Sequence, residues 1–249
     1  MHLDGGFGDL LKAFEALGEK EKKEALAFAE AECGNLRFVP NPGPQTRAYY
    51  SEADELLFGG EAGGGKSDLL IGVAVNEHKR SRILRRINQD AVALGDRLVE
   101  ILDSDAGFTR NPPTWRGTGG KLIEFRGCEL EKDKQRFKGK ARDFIGYDEL
   151  ADFLEGQYVF INAWNRSVDA SQRCRIIGAT NGPTTAEGLW ITRRWGAWLD
   201  PKHPNPAKDG ELRWYLTVGE SDVEVDGSGP HEVRGKLVRA TSRAFIRSR

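Results

Sequence analysis

Eight residues constrain this chain more than any others. Gly60-Glu61-Ala62-Gly63-Gly64-Gly65-Lys66-Ser67 fits the pattern GxxxxGK[ST]. Apolar Leu56-Leu57-Phe58 precedes it, and Leu69, Leu70, Val73 and Ala74 follow at helical spacing. Strand, loop and helix in that order is the setting such a loop requires. Gly60, Gly63, Gly64 and Gly65 let backbone N–H groups turn inward around a phosphate without Cβ clashes. The helix N-terminus adds partial positive charge. Lys66 places an ammonium between β- and γ-phosphates, and Ser67 offers a hydroxyl to Mg²⁺. The chain has 30 glycines in 249 residues, against a usual ~7%, and this loop accounts for part of the surplus.

A nucleotide-phosphate loop needs a metal-holding carboxylate at the end of a neighbouring strand. Asp143-Phe144-Ile145-Gly146-Tyr147-Asp148-Glu149 supplies one. Asp148 is the candidate Mg²⁺ ligand, and Glu149 the candidate base for an attacking water. An acidic start to the next helix is the plainer reading of Asp-Glu. About 80 residues separate Ser67 from Asp148. That leaves room for an extra strand, as in the additional-strand, catalytic-glutamate class of P-loop NTPases. Arg175–Ala179 reads as a further buried strand that delivers Thr180 and Asn181 to the carboxyl edge of the sheet, where ligands bind in open α/β folds. There they are candidates to sense a γ-phosphate, although Asn181-Gly182-Pro183 is also good turn chemistry.

The rest of the pattern agrees with an α/β fold: a mainly parallel central sheet flanked by helices. Ile83-Leu84 is a short strand ending in Arg85-Arg86, 88–102 a helix, and 114–116 with 121–126 a hairpin. Residues 212–218 form a strand, an acidic Gly-rich loop runs to Pro230, and 236–246 is the last element. Residues 1–35 form a helical segment in which Leu10, Leu11, Phe14 and Leu17 share a face and Gly18 breaks the run. It either packs on the core or lids it, and 36–249 is the main domain. Gln45, after a Pro-rich loop, is either a surface glutamine or a reader of the adenine edge.

Lys132, Lys134, Arg136, Lys138, Lys140 and Arg142 occupy every second position. Extended, they put six cations on one edge; otherwise they are a solvated charged loop. Arg136 and Arg142 are candidate arginine fingers toward a neighbouring subunit's nucleotide. Lys138, Lys140, Arg85 and Arg86 are candidate phosphate or DNA contacts.

Composition narrows the function classes. Lys and Arg number 37 against 38 Asp and Glu, for a net charge of −1. This excludes nucleic-acid binding by bulk positive charge and leaves only local patches. Cys33, Cys128 and Cys174 form no CxxC pair, so no cysteine zinc knuckle or disulfide scaffold is expected. No apolar run approaches the 18 residues of a membrane span, and no signal peptide is expected at the N-terminus.

Together these segments resemble the ATPase domain of tailed-bacteriophage large terminases, the DNA-packaging motors. The resemblance rests on 41–49, the 59–67 loop, 83–86, 144–149, 178–183, Gly188-Leu189-Trp190-Ile191 and Trp198-Leu199-Asp200-Pro201. It implies ATP hydrolysis with Mg²⁺, coupled to translocation of double-stranded DNA into a procapsid. It implies Gln45 as the adenine reader, Lys66 and Ser67 on phosphate and metal, and Asp148 and Glu149 as metal carboxylate and base. Thr180 and Asn181 fall in the coupling motif. Implied partners are double-stranded DNA, the portal protein, the small terminase subunit and further copies of the chain in a ring on the procapsid, with a monomer expected in isolation. The implied location is the host cytoplasm and, transiently, the portal vertex. The chain departs from the family in carrying Glu61 and Ala62 where some members have a loop arginine. It also has Lys138-Gly139 where many have Arg-Gly. The family's nuclease domain is not expected here, because no carboxylate cluster follows residue 190. A helicase-like ATPase and a nucleotide-gated docking module are the competing readings.

Overall fold

The computed structural model describes residues 16–24, 36–61, 63–182, 186–219 and 221–248. Among them, ten strands form one sheet in the order β3-β4-β5-β2-β6-β7-β1-β12-β8-β9. The strands are β1 (Glu55–Gly60), β2 (Arg80–Arg85), β3 (Phe108–Arg110), β4 (Pro113–Arg116), β5 (Leu122–Gly127), β6 (Phe144–Asp148), β7 (Arg175–Asn181), β8 (Arg213–Val218), β9 (Ser221–Val225) and β12 (Thr241–Arg247). The run from β5 to β12 is parallel throughout. Antiparallel strands extend it at both edges. A separate small hairpin pairs β10 (His231–Val233) with β11 (Lys236–Val238).

The middles of β1, β6 and β7 are apolar on both faces because both faces are covered. Leu56, Phe58, Ile83 and Ile177 face one core, with α2 (Lys66–Glu77) and α3 (Asn88–Leu102) packed over it. Leu57, Leu84, Ile145 and Ile176 face a second core. It is built with α4 (Glu155–Asn162), α5 (Trp190–Arg194) and α6 (Gly196–Leu199). A short helix α1 (Pro44–Tyr49) precedes β1. No helix among the described residues is long and apolar enough to cross a membrane.

Three sequence expectations change. The acidic stretch after residue 218 is not only loop, because Ser221–Val225 pairs with β8 as β9. Asp222 and Glu224 are tolerated in that strand because arginines meet both: Arg194 and Arg243 bond Asp222, and Arg213 bonds Glu224. Residues 236–246 split into β11 and β12, which belong to different sheets. The basic stretch is not extended, since Glu131–Phe137 is a 3-10 helix, so its cations do not share one edge. Within the N-terminal segment expected to be helical, residues 19–24 are helical; 1–15 and 25–35 lie outside the described residues.

Close packing of β7 beneath the turn after β6 offers a direct test. A Cβ on Gly178 would lie 2.3 Å from the Leu150 side chain, which is fully buried. Gly178→Val is expected to destabilise the fold by about 1–3 kcal/mol through overpacking. It should be read as a lower urea midpoint at unchanged slope.

Candidate active site

Strand β1 delivers the glycine loop to the carboxyl edge of the sheet, and α2 begins at Lys66. The loop is wound with Gly60, Gly63 and Gly65 at φ of 144°, 80° and 65°, a region that favours glycine. Gly65 also has no room for a side chain, because a Cβ there would lie 2.4 Å from Gln45 Nε2. Gln45 is buried. Its Nε2 donates to the Gly65 carbonyl at 2.7 Å, and its Oε1 accepts from Asn41 N–H. The glutamine singled out by the sequence therefore sits against the loop, with both ends of its amide engaged there. Lys66 Nζ donates to the Glu61 carbonyl at 2.7 Å, across the loop. Ala62 lies outside the described residues.

Strand β6 ends at Asp148 on the same edge. Ser67 Oγ donates to Asp148 Oδ1 at 3.0 Å, joining the start of α2 to the end of β6. Asp148 Oδ2 is buried and accepts no hydrogen bond, with Arg85 Nε 3.1 Å away. Burial raises the Asp148 pKa, against the pull of Arg85 and the Ser67 hydrogen bond. A hydroxyl beside an incompletely satisfied carboxylate is an oxygen donor set that suits a hard cation such as Mg²⁺. Among the described residues no three His, Cys, Asp or Glu side chains cluster as a metal cage. A cation here would complete its shell with phosphate oxygens and water, as Mg²⁺ commonly does.

Glu149 follows in a left-handed backbone conformation, φ 55° and ψ 59°. A non-glycine residue held there costs of order 1–3 kcal/mol, and the 3-10 turn Leu150–Asp152 that starts from it holds the geometry. Its carboxylate is part-exposed, with Oε1 3.9 Å from Arg85 Nη2. Thr180 ties this turn to β7: its Oγ1 accepts from Ala151 N–H at 3.3 Å. Asn181 pairs in register with Gly60 and is exposed at the end of β7. One sheet edge thus carries the loop, Asp148, Glu149, Thr180 and Asn181.

Other candidates fall elsewhere. Arg142 is buried, and its Nε donates to Glu124 at 3.0 Å. A guanidinium held inside its own sheet cannot reach a neighbouring subunit, so Arg142 is withdrawn as a finger. Arg86 donates to Asp152 O at 3.1 Å and Gln157 Oε1 at 2.9 Å, bracing α4 instead of offering itself to a ligand. Arg85 lies on the two carboxylates. Arg136, Lys138 and Lys140 are exposed.

Sequence reasoning missed Ser248. Its N–H donates to Gly59 O at 2.8 Å, and its hydroxyl to Glu61 O at 3.4 Å. A Cβ on Gly64 would lie 2.9 Å from Ser248 Cβ, so the residue after β12 walls one side of the loop. Nothing local marks a serine nearly 190 positions away as part of this site.

No protein-family model matches the chain, and no curated protein matches it in sequence. Solved structures do. A mutant of the Thermus phage P74-26 large terminase ATPase domain is 15% identical with a TM-score of 0.50, over 86% of this chain and 83% of that one. A second structure of that ATPase domain is 18% identical with a TM-score of 0.46, over 70% of this chain and 77% of that one. The HK97 bacteriophage large terminase is 13% identical with a TM-score of 0.42, over 64% of this chain and 35% of that one. At such identity the likeness is one of fold: this chain has a fold similar to that of the P74-26 large-terminase ATPase domain mutant.

Proposed function

We propose that the chain is the ATP-hydrolysing motor domain of a phage DNA-packaging terminase, using Mg²⁺ and moving double-stranded DNA into a procapsid. The observation that carries this reading is the 3.0 Å contact between Ser67 Oγ and Asp148 Oδ1, with Glu149 next in the chain. It joins a phosphate loop to the two carboxylates that hydrolysis requires. Strand β7, standing between β1 and β6, supports placing the chain in the additional-strand, catalytic-glutamate class.

In this mechanism the loop N–H groups and Lys66 hold the β- and γ-phosphates, and Lys66 exchanges the Glu61 carbonyl for phosphate oxygen. Ser67 and Asp148 would hold Mg²⁺, which when bound would offset phosphate charge. Gln45 reads the adenine edge by giving up the Gly65 carbonyl, since an amide donates and accepts together. Glu149 orients a water and takes its proton. Arg85 now neutralises the two carboxylates, and it must shift as they engage their ligands. Thr180, bonded to the turn that carries Glu149, passes the change to β7 with Asn181. Arg136, exposed before β6, is the finger toward a neighbouring copy in a ring. DNA, the portal protein and the small terminase subunit are the expected partners, in the host cytoplasm and at the portal vertex.

Steady-state ATPase assays with Mg²⁺, with and without duplex DNA and procapsids, test this reading. Specific activity is expected to rise with protein concentration, because the finger acts between copies. Lys66→Ala is expected to weaken ATP binding roughly tenfold to a hundredfold, the worth of one or two charge-assisted hydrogen bonds. It should also abolish turnover. Wild-type turnover in that variant overturns the assignment.

A further inference from the structure

A second phosphate-sized site lies away from the glycine loop. The register of β2 and β5 sets Arg82 beside Glu124 and Leu84 beside Arg126. Alternation along the two strands then puts Arg82, Glu124 and Arg126 on one face. The 3-10 segment before β6 arches over that face and leaves a cavity of about 200 Å³. A water's share of liquid volume is ~30 Å³, so the cavity holds a group of several heavy atoms. Arg82, Arg126, Arg136 and Lys140 line it with a single carboxylate, Glu124. Asn88, at the start of the 15-residue helix α3, lines it too.

The charges there do not balance. Glu124 already serves Arg82 at 3.0 Å and Arg126 at 3.4 Å, and it also pairs with Arg142. Burial pulls the Arg82 guanidinium down to about 10, against Glu124 and with repulsion from Arg142 and Arg126. Arg126 is lowered in the same way, by burial first and then by Arg142. Arg82 is 1% exposed, yet its Nε has no hydrogen-bond partner. The Phe137 ring centroid lies 4.7 Å from its guanidinium carbon, a cation–π contact. At the mouth, Lys140 Nζ makes no ion pair among the described residues, whereas Arg136 is already engaged by Asp133 at 3.3 Å and by the Gly127 carbonyl at 3.4 Å. Arg126 meets most of its needs on Pro113 O, Phe125 O and Thr114 Oγ1. The unmet donor is therefore Arg82 Nε, in a lining whose positive charge exceeds its one carboxylate, and an anion would complete it.

We propose that this cavity binds a phosphate group, distinct from any nucleotide held by the glycine loop, with Lys140 capturing it at the mouth above Arg82. Planar guanidinium donors and a mobile ammonium suit tetrahedral phosphate oxygens. The phosphate comes either from a small anion or from a nucleic-acid backbone, and both offer the same oxygens. The site does not depend on hydrolysis at the loop.

The test uses the Lys66→Ala protein, so that the glycine loop contributes little. Inorganic phosphate is titrated at constant ionic strength while amide signals of Asn88, Gly127 and Lys140 are followed by NMR. Saturable shifts confined to this cavity are expected. Lys140→Gln, at an exposed position, should weaken binding roughly tenfold, as loss of a charge-assisted hydrogen bond does, and Lys140→Glu should weaken it further. A parallel arm adds a 12-base-pair DNA duplex. Displacement of phosphate by the duplex identifies a backbone phosphate as the ligand, and failure to displace it identifies a small anion. Shifts that chloride reproduces at equal ionic strength, or that neither substitution alters, overturn the proposal.

Discussion

Glu149→Gln is expected to lower steady-state ATP turnover by roughly 10²–10⁴-fold, the usual contribution of a positioned general base. ATP binding should stay within about threefold of wild type, since an amide retains the shape and loses only the charge and basicity. The substitution is conservative for the backbone as well. Residue 149 is held at φ 55° by the turn after β6, and glutamine is no more strained there than glutamate. Binding of a fluorescent ATP analogue and single-turnover hydrolysis, measured on one preparation, separate the two effects. Turnover at the wild-type rate would remove Glu149 from the mechanism. Loss of binding together with turnover would assign it to shaping the site. The charge change also bears on Arg85, 3.9 Å from Glu149 Oε1. With Glu149 neutral, Arg85 retains Asp148 as its only carboxylate in this pair of contacts.

The second large effect concerns stability. Glu55 opens β1, the strand that leads into the glycine loop, and it is 4% exposed. Arg194 of α5 bonds both its oxygens, at 2.7 and 2.9 Å, and Arg243 of β12 lies 3.0 Å away. Both arginines then reach Asp222 of β9, at 3.0 and 2.7 Å. Four charged groups thus lock one helix and three strands around the base of β1. Glu55→Ala leaves two arginines facing Asp222 alone, and breaking such a buried set typically costs about 3–5 kcal/mol. That is a large share of a fold worth roughly 5–15 kcal/mol. Burial alone would raise the Glu55 pKa, but Arg194 and Arg243 outweigh it and the net shift is downward. A carboxylate lowered in the folded state stabilises above its unfolded value, about 4.3 for glutamate. It loses that contribution as pH falls through the lowered folded value. Urea unfolding from pH 7 down to pH 2 should therefore show a steeper acid loss in wild type than in Glu55→Ala. Equal slopes would mean that the pair contributes no net stabilisation.

The central sheet was legible from the chain because its strands are covered on both faces. Leu56-Leu57-Phe58 and Ile176–Ala179 carry no polar side chain, and such runs mark strands covered on both faces. The edge of the sheet was less legible. Ser221–Val225 carries Asp222 and Glu224, residues that disfavour strands, and arginines from distant segments make it one. The basic run at 132–142 left two readings open, and the structure removes the extended one. Alternation suggests an extended edge only if the segment extends, and the 3-10 turns of Glu131–Phe137 break the period. Arg142 then turns inward to Glu124, a partner that spacing does not reveal.

What local pattern decided is the glycine loop in its strand-loop-helix setting and the acidic pair that ends a buried strand. Each depends on residues within a few positions of one another, where backbone geometry translates sequence directly into shape. What tertiary structure alone decided is which charge meets which. Arg85 lies on Asp148 and Glu149, Arg142 on Glu124, Arg194 and Arg243 on Glu55, and Ser248 against the loop. Those partners are brought together by strand order, with β7 between β1 and β6 and β12 on the other side of β1. Strand order follows from how the whole set of apolar faces is buried at once, a global property that no short stretch of chain encodes.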